Sequence, residues 1–251
     1  MKTDAFHIRI DRRRVLQSFL LGAGGLWVPD VFAEALVLTP RATEGPYYPD
    51  HLPLDQDNDL VRVTGKEAAA LGTVASFGGR LLMADGKAVK GATIELWQAD
   101  DNGCYIHSRG VQRGKERDPL FQGYGKMETN AKGEYRFRTI MPGLYTGRTR
   151  HWHVAVVKDG KRLLTTQLFV QGEPQNERDG ILQRMGTDEQ RLSVIRPFEK
   201  VSGGDGALVG TWDIVLGSTA EEPKERRGPG GPPPGGERRG PPPPPGERRP
   251  E

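Results

Sequence analysis

Short apolar runs separated by turn residues recur along the central part of the chain. We predict strands near Arg80–Met83, Ala92–Gln98, Tyr135–Ile140, His151–Val157, Leu163–Val170, Leu192–Phe198 and Thr211–Leu216. No long segment carries apolar residues at the 3.6-residue spacing of a helix, and turns that contain glycine separate several of the runs. This pattern predicts an all-β fold in which two sheets pack as a β-sandwich.

The segments between the strands carry recognisable turn and helix signals. Asp159-Gly160 lies between two apolar runs and predicts a hairpin. Residues 176–190 are expected to contain one or two helical turns, because Thr187 and Gln190 have the spacing of a capping box. We therefore expect short helical or loop insertions in the β-sandwich. The segment Thr39–Pro49 is rich in turn residues and is expected to be extended.

Two histidines stand at the beginning of one predicted strand. His151 and His153 are two residues apart, so their side chains point to the same face of the strand, while Trp152 and Val154 point to the other. Neutral imidazole is the commonest metal ligand among side chains, and this pair would form half of a metal site. The alternative is a pair of surface histidines on a half-buried strand.

Two tyrosines accompany the histidine pair. Tyr105 ends a run that begins in a strand and passes through a turn, and Tyr145 follows a Pro-Gly turn. Phenol has an ordinary pKa of about 10, so tyrosinate at neutral pH requires a strong positive charge nearby. A ferric ion provides such a charge and favours hard oxygen donors, whereas zinc more often binds thiolate, carboxylate or histidine. Together with His151 and His153, the tyrosines predict a non-haem Fe(III) site.

The first 35 residues have the features of an export signal. Arg12 and Arg13 match a twin-arginine pattern, and the apolar stretch Ser18–Trp27 is too short to span a bilayer. We predict a periplasmic or secreted protein with no stable membrane insertion after removal of the signal. The alternative is an amphipathic basic helix that belongs to the mature protein.

The other end of the chain has a low-complexity composition. Residues 221–251 consist of Pro, Gly, Arg and Glu, with one Lys, and we predict a disordered tail there. Residues 36–220 then form the folded domain. The whole chain has 36 basic and 33 acidic residues, a balance that gives no indication of nucleic-acid binding. Because Cys104 is the only cysteine, no disulfide can form within the chain.

Four motifs follow one another along the chain: Trp97-Gln-Ala-Asp with Gly103-Cys-Tyr105, Thr139-Ile-Met-Pro-Gly-Leu-Tyr145, Gly147-Arg-Thr-Arg-His-Trp-His153 and Thr166-Gln-Leu-Phe169. In this order they resemble the intradiol ring-cleavage dioxygenases, and most closely the protocatechuate 3,4-dioxygenase type and its exported relatives. The segment Thr43–Pro49 is similar to that family as well, so that the resemblance covers residues 39–217. It implies a prealbumin-like sandwich.

The resemblance also implies a role for each site residue. Tyr105, Tyr145, His151 and His153 would bind Fe(III), with Tyr145 as the axial ligand that leaves when a catechol binds. Arg148 would stabilise negative charge on the substrate, and Gln167 would lie near the site.

The function implied is cleavage of a catechol-type ring between its two hydroxyl-bearing carbons. The partners would be a small aromatic diol and O2, and a homo-oligomer is compatible with the sequence. Only five residues separate Tyr145 from His151, fewer than in well-known members of the family, which implies a shorter wall of the pocket. Two alternatives stand beside this function: a non-catalytic sandwich module similar to carboxypeptidase-regulatory-like domains, and a zinc- or copper-binding exported protein.

Overall fold

The computed structural model describes residues 36–111, 114–200 and 207–217. The predicted signal and the predicted tail lie outside these ranges. The described residues form the strands β1 (Val74–Met83), β2 (Thr93–Trp97), β3 (Tyr124–Glu128), β4 (Glu134–Ile140), β5 (His151–Lys158), β6 (Lys161–Val170), β7 (Ile195–Arg196), β8 (Glu199–Lys200), β9 (Leu208–Thr211) and β10 (Ile214–Leu216). They also form the helix α1 (Asp188–Ser193) and two 3₁₀ helices, Pro174–Arg178 and Leu182–Arg184. The prediction of an all-β fold with short helical insertions is confirmed.

The strands form two five-stranded mixed sheets. In the first sheet, β1 pairs with β4 on one side and, in parallel, with β9 and β10, while β8 pairs with β9. In the second sheet the order is β3-β2-β5-β6-β7, with only the β6–β7 pair parallel. The strand that carries the histidines is therefore the central strand of the second sheet.

The two sheets face each other across one hydrophobic core. The alternation along β5 sends Trp152, Val154 and Val156 into this core, where they are buried. Phe77 of β1 in the first sheet lies with its ring centroid 5.4 Å from that of Trp152. Burial of these side chains stabilises the fold by about 25 cal/mol for each Å² of apolar surface removed from water.

The predicted turn signals have the expected structures. Asp159 and Gly160 have φ angles of 51° and 74° and connect β5 to β6 in a two-residue hairpin. Left-handed backbone at both positions matches the right-handed twist of the paired strands. Thr187 and Gln190 form the capping box at the start of α1, so that prediction is also confirmed.

Two strand predictions need correction, and the strand β3 was missed. The run Leu192–Phe198 is not one strand, because its first residues complete α1 and only Ile195–Arg196 pairs with β6. The run Thr211–Leu216 is interrupted, with β9 ending at Thr211 and β10 beginning at Ile214. β3 was not predicted, because its sequence Tyr-Gly-Lys-Met-Glu lacks an apolar alternation.

A second, smaller cluster lies on the other face of the second sheet. It consists of buried residues from β2, β3, β5 and the loop after β2, namely Trp97, Ala99, Tyr105, Ile106, Tyr124 and Ala155. Tyr47, Tyr48 and Tyr145 pack against it from surrounding loops. Because His151 and His153 project to this face, their side chains are enclosed instead of exposed.

Within the described ranges, no helix has both the length and the apolarity required to cross a bilayer.

Candidate metal site

The histidine pair is buried beneath loops on the outer face of the second sheet. His151 and His153 are each 2% exposed, and their Nε2 atoms lie 3.2 Å apart. The imidazole of His153 stacks on Trp97, its direct partner on β2, with ring centroids 5.0 Å apart and an angle of 14° between the planes. The alternative of two surface histidines is therefore wrong.

Hydrogen bonding and burial prepare His151 as a ligand. Its Nδ1 lies 2.7 Å from the carbonyl oxygen of Thr149. Because a carbonyl can only accept, Nδ1 carries the proton, and Nε2 directs a free lone pair into the site. Burial, together with the charge of Arg148, lowers the pKa of His151 to about 3. The pKa of His153 is also lowered well below its ordinary value by burial, by His151 and by Arg148, so both rings are neutral at pH 7.

Tyr105 enters the site from the loop that follows β2. The buried carboxylate of Asp100 organises this loop by accepting the backbone N–H groups of Cys104, at 2.9 Å, and of Asp118, at 2.7 Å. Tyr105 is 1% exposed, and its Oη lies 3.3 Å from Nε2 of His151.

Tyr145 enters from the loop between β4 and β5, which packs directly on the Tyr105 loop. Gly143 donates its N–H to the carbonyl oxygen of Asp100 at 3.0 Å, and a Cβ at Gly143 would lie only 2.2 Å from that oxygen. Gly103, with a φ of 81°, approaches Leu144 in the same way. Glycine at both positions allows the two tyrosine-bearing loops to touch.

Four donor atoms converge as a result of these contacts. Oη of Tyr145 lies 3.3 Å from Nε2 of His151 and 3.4 Å from Oη of Tyr105. Metal–ligand bonds of about 2.0–2.2 Å place neighbouring donors at about this separation. The structure thus brings together all four predicted ligands, two tyrosines and two histidines, at distances that suit a single ion.

In the absence of a metal ion, the surroundings of the cluster disfavour ionisation of its two tyrosines. Burial raises the pKa of Tyr105 well above its ordinary value, and the neighbouring Tyr145 raises it further. Burial also raises the pKa of Tyr145, although Tyr105 and Arg148 act in the opposite direction. The protein alone therefore disfavours tyrosinate at this site, whereas a highly charged ion would reverse that preference. No group of three or more His, Cys, Asp or Glu side chains suited to a metal occurs among the described residues.

Arg148 and Gln167 lie beside the four donors, as the sequence motifs predicted. Nη2 of Arg148 donates to Oε1 of Gln167 at 2.6 Å, and Nη1 lies 3.4 Å from Oη of Tyr145. Gln167 stands directly opposite His153 on β6 and donates from Nε2 to the carbonyl oxygen of Thr43 at 3.2 Å. Both side chains are therefore fixed by several contacts.

Two contributions to the site were not predicted from the sequence. Asp179, between the two 3₁₀ helices, accepts from Nε of Arg148 at 2.8 Å. Tyr47, in the segment before β1, covers the site by stacking on Tyr105 with ring centroids 5.1 Å apart. Neither residue belongs to a periodic apolar run. The similarity of Thr43–Pro49 to the family was the only available signal for Tyr47, and no signal marked Asp179.

Comparison with known proteins identifies the family. A family model described as "Dioxygenase" matches residues 43–218. The protocatechuate 3,4-dioxygenase beta chain of Burkholderia cepacia is 36% identical over 181 residues, which is 68% of this chain and 75% of that protein. Catechol 1,2-dioxygenase 1 of Acinetobacter lwoffii is 31% identical over 154 residues, 54% of this chain and 47% of that protein.

A solved structure agrees with the sequence comparisons. The dioxygenase domain of a dioxygenase carbohydrate-binding protein fusion from Streptomyces sp. SirexAA-E is 31% identical and superposes with a TM-score of 0.54, covering 72% of this chain and 98% of that one. Residues 43–218, which the family model matches, include both histidines and both tyrosines of the site. By its sequence motifs, its fold and these relatives, the chain belongs to the intradiol ring-cleavage dioxygenase family.

Proposed function

We propose that the protein is a non-haem Fe(III) dioxygenase that cleaves a catechol-type ring between its two hydroxyl-bearing carbons. The observation that carries this proposal is the convergence of two tyrosine oxygens and two histidine nitrogens, 3.2–3.4 Å apart, beside a fixed arginine. The reaction adds both atoms of O2 to the diol and yields a muconate-type dicarboxylate. The two sheets would correspond to the prealbumin-like arrangement that the resemblance implies.

Each residue of the site has a task in this reaction. Tyr105, Tyr145, His151 and His153 would hold the ferric ion. When bound, that ion supplies Lewis acidity that stabilises the doubly deprotonated catechol and activates its ring towards O2. As a tyrosinate, Tyr145 would accept the second proton of the catechol at Oη, because a phenolate that the charge of the ion no longer stabilises has an ordinary pKa of about 10.

Arg148 and the covering tyrosine act on charge and water. The guanidinium of Arg148 stabilises negative charge on the bound ring, and its effect is large because the surroundings are partly dry. Tyr47 shields the site from solvent, since its ring covers Tyr105 and meets the edge of Tyr145 with centroids 6.3 Å apart. Gln167 keeps the guanidinium and His153 in fixed relative positions through its contacts to both.

The substrate class is a small aromatic diol. The similarity to enzymes named for protocatechuate and for catechol supports a catechol-type ring and leaves its substituents open. We also propose that the protein is exported by the twin-arginine route to the periplasm or beyond. The arginine pair at positions 12 and 13 supports this proposal.

Metal analysis and product identification test the function together. The purified protein should contain about one iron per chain and be visibly red-brown from tyrosinate-to-iron charge transfer. Incubation with catechol under ¹⁸O2 should give cis,cis-muconate with one labelled oxygen in each carboxylate. Stoichiometric zinc without iron, or a semialdehyde product, would refute the proposal.

A pair of variants locates the metal. His153→Ala should lose both colour and iron, because a missing imidazole leaves the ligand set incomplete. His51→Ala is the matched control, because the His51 side chain is 65% exposed and its recorded partner is Asp50. Retention of iron by the His153→Ala protein would show that the ion binds elsewhere.

A further inference from the structure

Asp179 is a buried carboxylate outside the four-donor cluster. It lies between the two 3₁₀ helices, and its side chain is fully buried. Oδ1 accepts the backbone N–H groups of Ile181 and Leu182, each at 3.0 Å. Oδ2 accepts from Nε of Arg148 at 2.8 Å and from the backbone N–H of Thr149 at 2.9 Å. One oxygen is thus anchored in its own loop, and the other holds the segment that leads into β5.

The contacts of Arg148 leave its guanidinium no freedom to rotate. The group is planar, and two of its nitrogens are bound on different sides, Nε to Asp179 and Nη2 to Gln167. With two points of the plane fixed, the direction of Nη1 follows, and this nitrogen lies 3.4 Å from Oη of Tyr145. Nη1 of Arg148 is therefore directed at the four-donor cluster.

A second ion pair joins the same two segments without reaching the site. Nε of Arg150 lies 3.0 Å from a carboxylate oxygen of Glu173, and both side chains are partly exposed. Nη1 of Arg150 donates to the carbonyl oxygen of Pro142 at 2.6 Å. The Arg150–Glu173 pair therefore already joins these segments, and this task alone does not require a second, buried pair. The buried pair differs in that its arginine touches Tyr145 and Gln167.

From this geometry we infer that Asp179 is a positioning residue, which acts through Arg148 by aiming its guanidinium at the substrate. The inference rests on the proposed function of the site, since it assigns the aim of the arginine to the charge that develops on a catechol ring. Asp179 itself makes no hydrogen bond to any of the four donor atoms.

A double-mutant cycle tests whether Asp179 acts through Arg148. Asp179→Asn keeps the size of the side chain but removes the charge and one acceptor oxygen. With catechol as substrate, we expect kcat to fall by about 10- to 100-fold, with a smaller change in KM and unchanged iron content. The double variant with Arg148→Ala should be no slower than Arg148→Ala alone, because an effect exerted through Arg148 is already lost there. If the fold-losses in kcat of the two single variants multiply in the double variant, the inference is overturned.

Glu173→Gln is the matched control. It breaks the neighbouring ion pair on the same loop and should leave kcat within about two-fold of the wild-type value, as expected for a partly exposed pair. A loss as large as that of Asp179→Asn would mean that any weakening of this loop slows the enzyme, and the inference would fall.

A crystal structure of the Asp179→Asn holoenzyme gives a result that does not depend on turnover. The guanidinium of Arg148 should be displaced from Gln167 while the four donors keep their places. A guanidinium in its wild-type position would overturn the inference. If the wild-type enzyme cleaves neither catechol nor protocatechuate, the proposed function is wrong, and the structure still decides whether Asp179 positions Arg148.

Arg148→Lys covers the case in which Asp179→Asn does not fold. A lysine can still pair with Asp179, so the buried carboxylate keeps a partner. Its single charged group would then lie at Asp179 and not at the site, and kcat should fall to within a few-fold of that of Arg148→Ala. Wild-type turnover in the lysine variant would show that a held guanidinium is unnecessary and would overturn the inference.

Discussion

The two tyrosines of the site have different surroundings, although both reach the same histidine nitrogen. Tyr105 is 1% exposed and lies in the small cluster on the outer face of the second sheet. Tyr145 is only partly buried and lies next to the guanidinium of Arg148. The buried tyrosine is thus suited to a permanent ligand, and the more exposed one to a group that exchanges protons with a substrate.

Replacing each tyrosine by phenylalanine should separate these roles. Tyr145→Phe should still bind iron through the three other donors, with altered colour, and should bind and convert catechol more slowly because the proton acceptor is absent. Tyr105→Phe should lose most of its iron. Metal analysis and stopped-flow absorption with catechol measure both effects.

The stopped-flow spectra of the wild type provide the decisive comparison. One tyrosinate band should disappear when catechol binds. If both bands persist while turnover proceeds, Tyr145 does not take the proton and the assignment of roles is wrong.

At the scale of single residues, the sequence predicted what motif and alternation can encode. His151 and His153 share a face because a strand has a period of two, and Tyr105, Tyr145, Arg148 and Gln167 followed from the family motifs. Asp179 lay beyond prediction. Its partner, Arg148, is 31 residues earlier in the chain, and the intervening segment contains no pattern that fixes how the two meet.

At the scale of elements, the contact between the two tyrosine-bearing loops determines the shape of the site. Gly143→Ala would place a methyl group 2.2 Å from the carbonyl oxygen of Asp100 and force the loops apart. We expect a loss of stability of about 1–3 kcal/mol and weaker iron binding. Chemical denaturation and metal analysis provide the measurements.

Gly160→Ala is a useful control for that substitution. Gly160 lies in the β5–β6 hairpin with a φ of 74°, and a Cβ there meets no atom within 4 Å. This variant should lose only about 1 kcal/mol of stability, because alanine is strained in this left-handed backbone conformation, and it should bind iron normally. Equal iron affinity in the two variants would contradict the importance of the loop contact.

Elements were predictable where burial imposes a pattern. The hairpin of β5 and β6 was evident because its apolar runs flank Asp159-Gly160. The strand β3 escaped prediction because it pairs with β2 at the edge of the sheet, where Lys126 and Glu128 leave no alternation to detect. Tertiary pairing, and not local propensity, makes that segment a strand.

At the scale of the whole molecule, the buried histidines make stability depend on pH. In the metal-free protein the pKa of His151 is about 3, and that of His153 is also far below the value of about 6.5 in an unfolded chain. The unfolded state therefore binds more protons below pH 6.5. Above this pH the two histidines do not reduce the free energy of unfolding. Below it, the free energy of unfolding should fall by about 1.4 kcal/mol per pH unit for each histidine.

Urea unfolding of the metal-free protein between about pH 7.5 and 5 measures this slope. His153→Gln should reduce it by one proton, because glutamine does not titrate. The same slope in both proteins would show that His153 does not control acid stability.

Export is the second property of the whole chain that can be tested. Under the proposed export by the twin-arginine route, replacing both Arg12 and Arg13 by lysine should retain the protein in the cytoplasm, folded and loaded with iron, because such a signal requires both residues. Arg14→Lys is the adjacent control and should be exported. Cell fractionation followed by iron analysis gives the result, and periplasmic delivery of the double variant would exclude this route.

The site joins parts of the chain that are far apart in sequence. Tyr105 meets Tyr145 across 40 positions and His151 across 46, while Gln167 reaches Thr43 across 124. Each such contact requires a long loop to close before any stabilisation is gained, so contacts of this kind slow folding. A nascent chain with both sheets only partly assembled would have no place for the ion. Under the proposed function, metal uptake would therefore require that folding be complete.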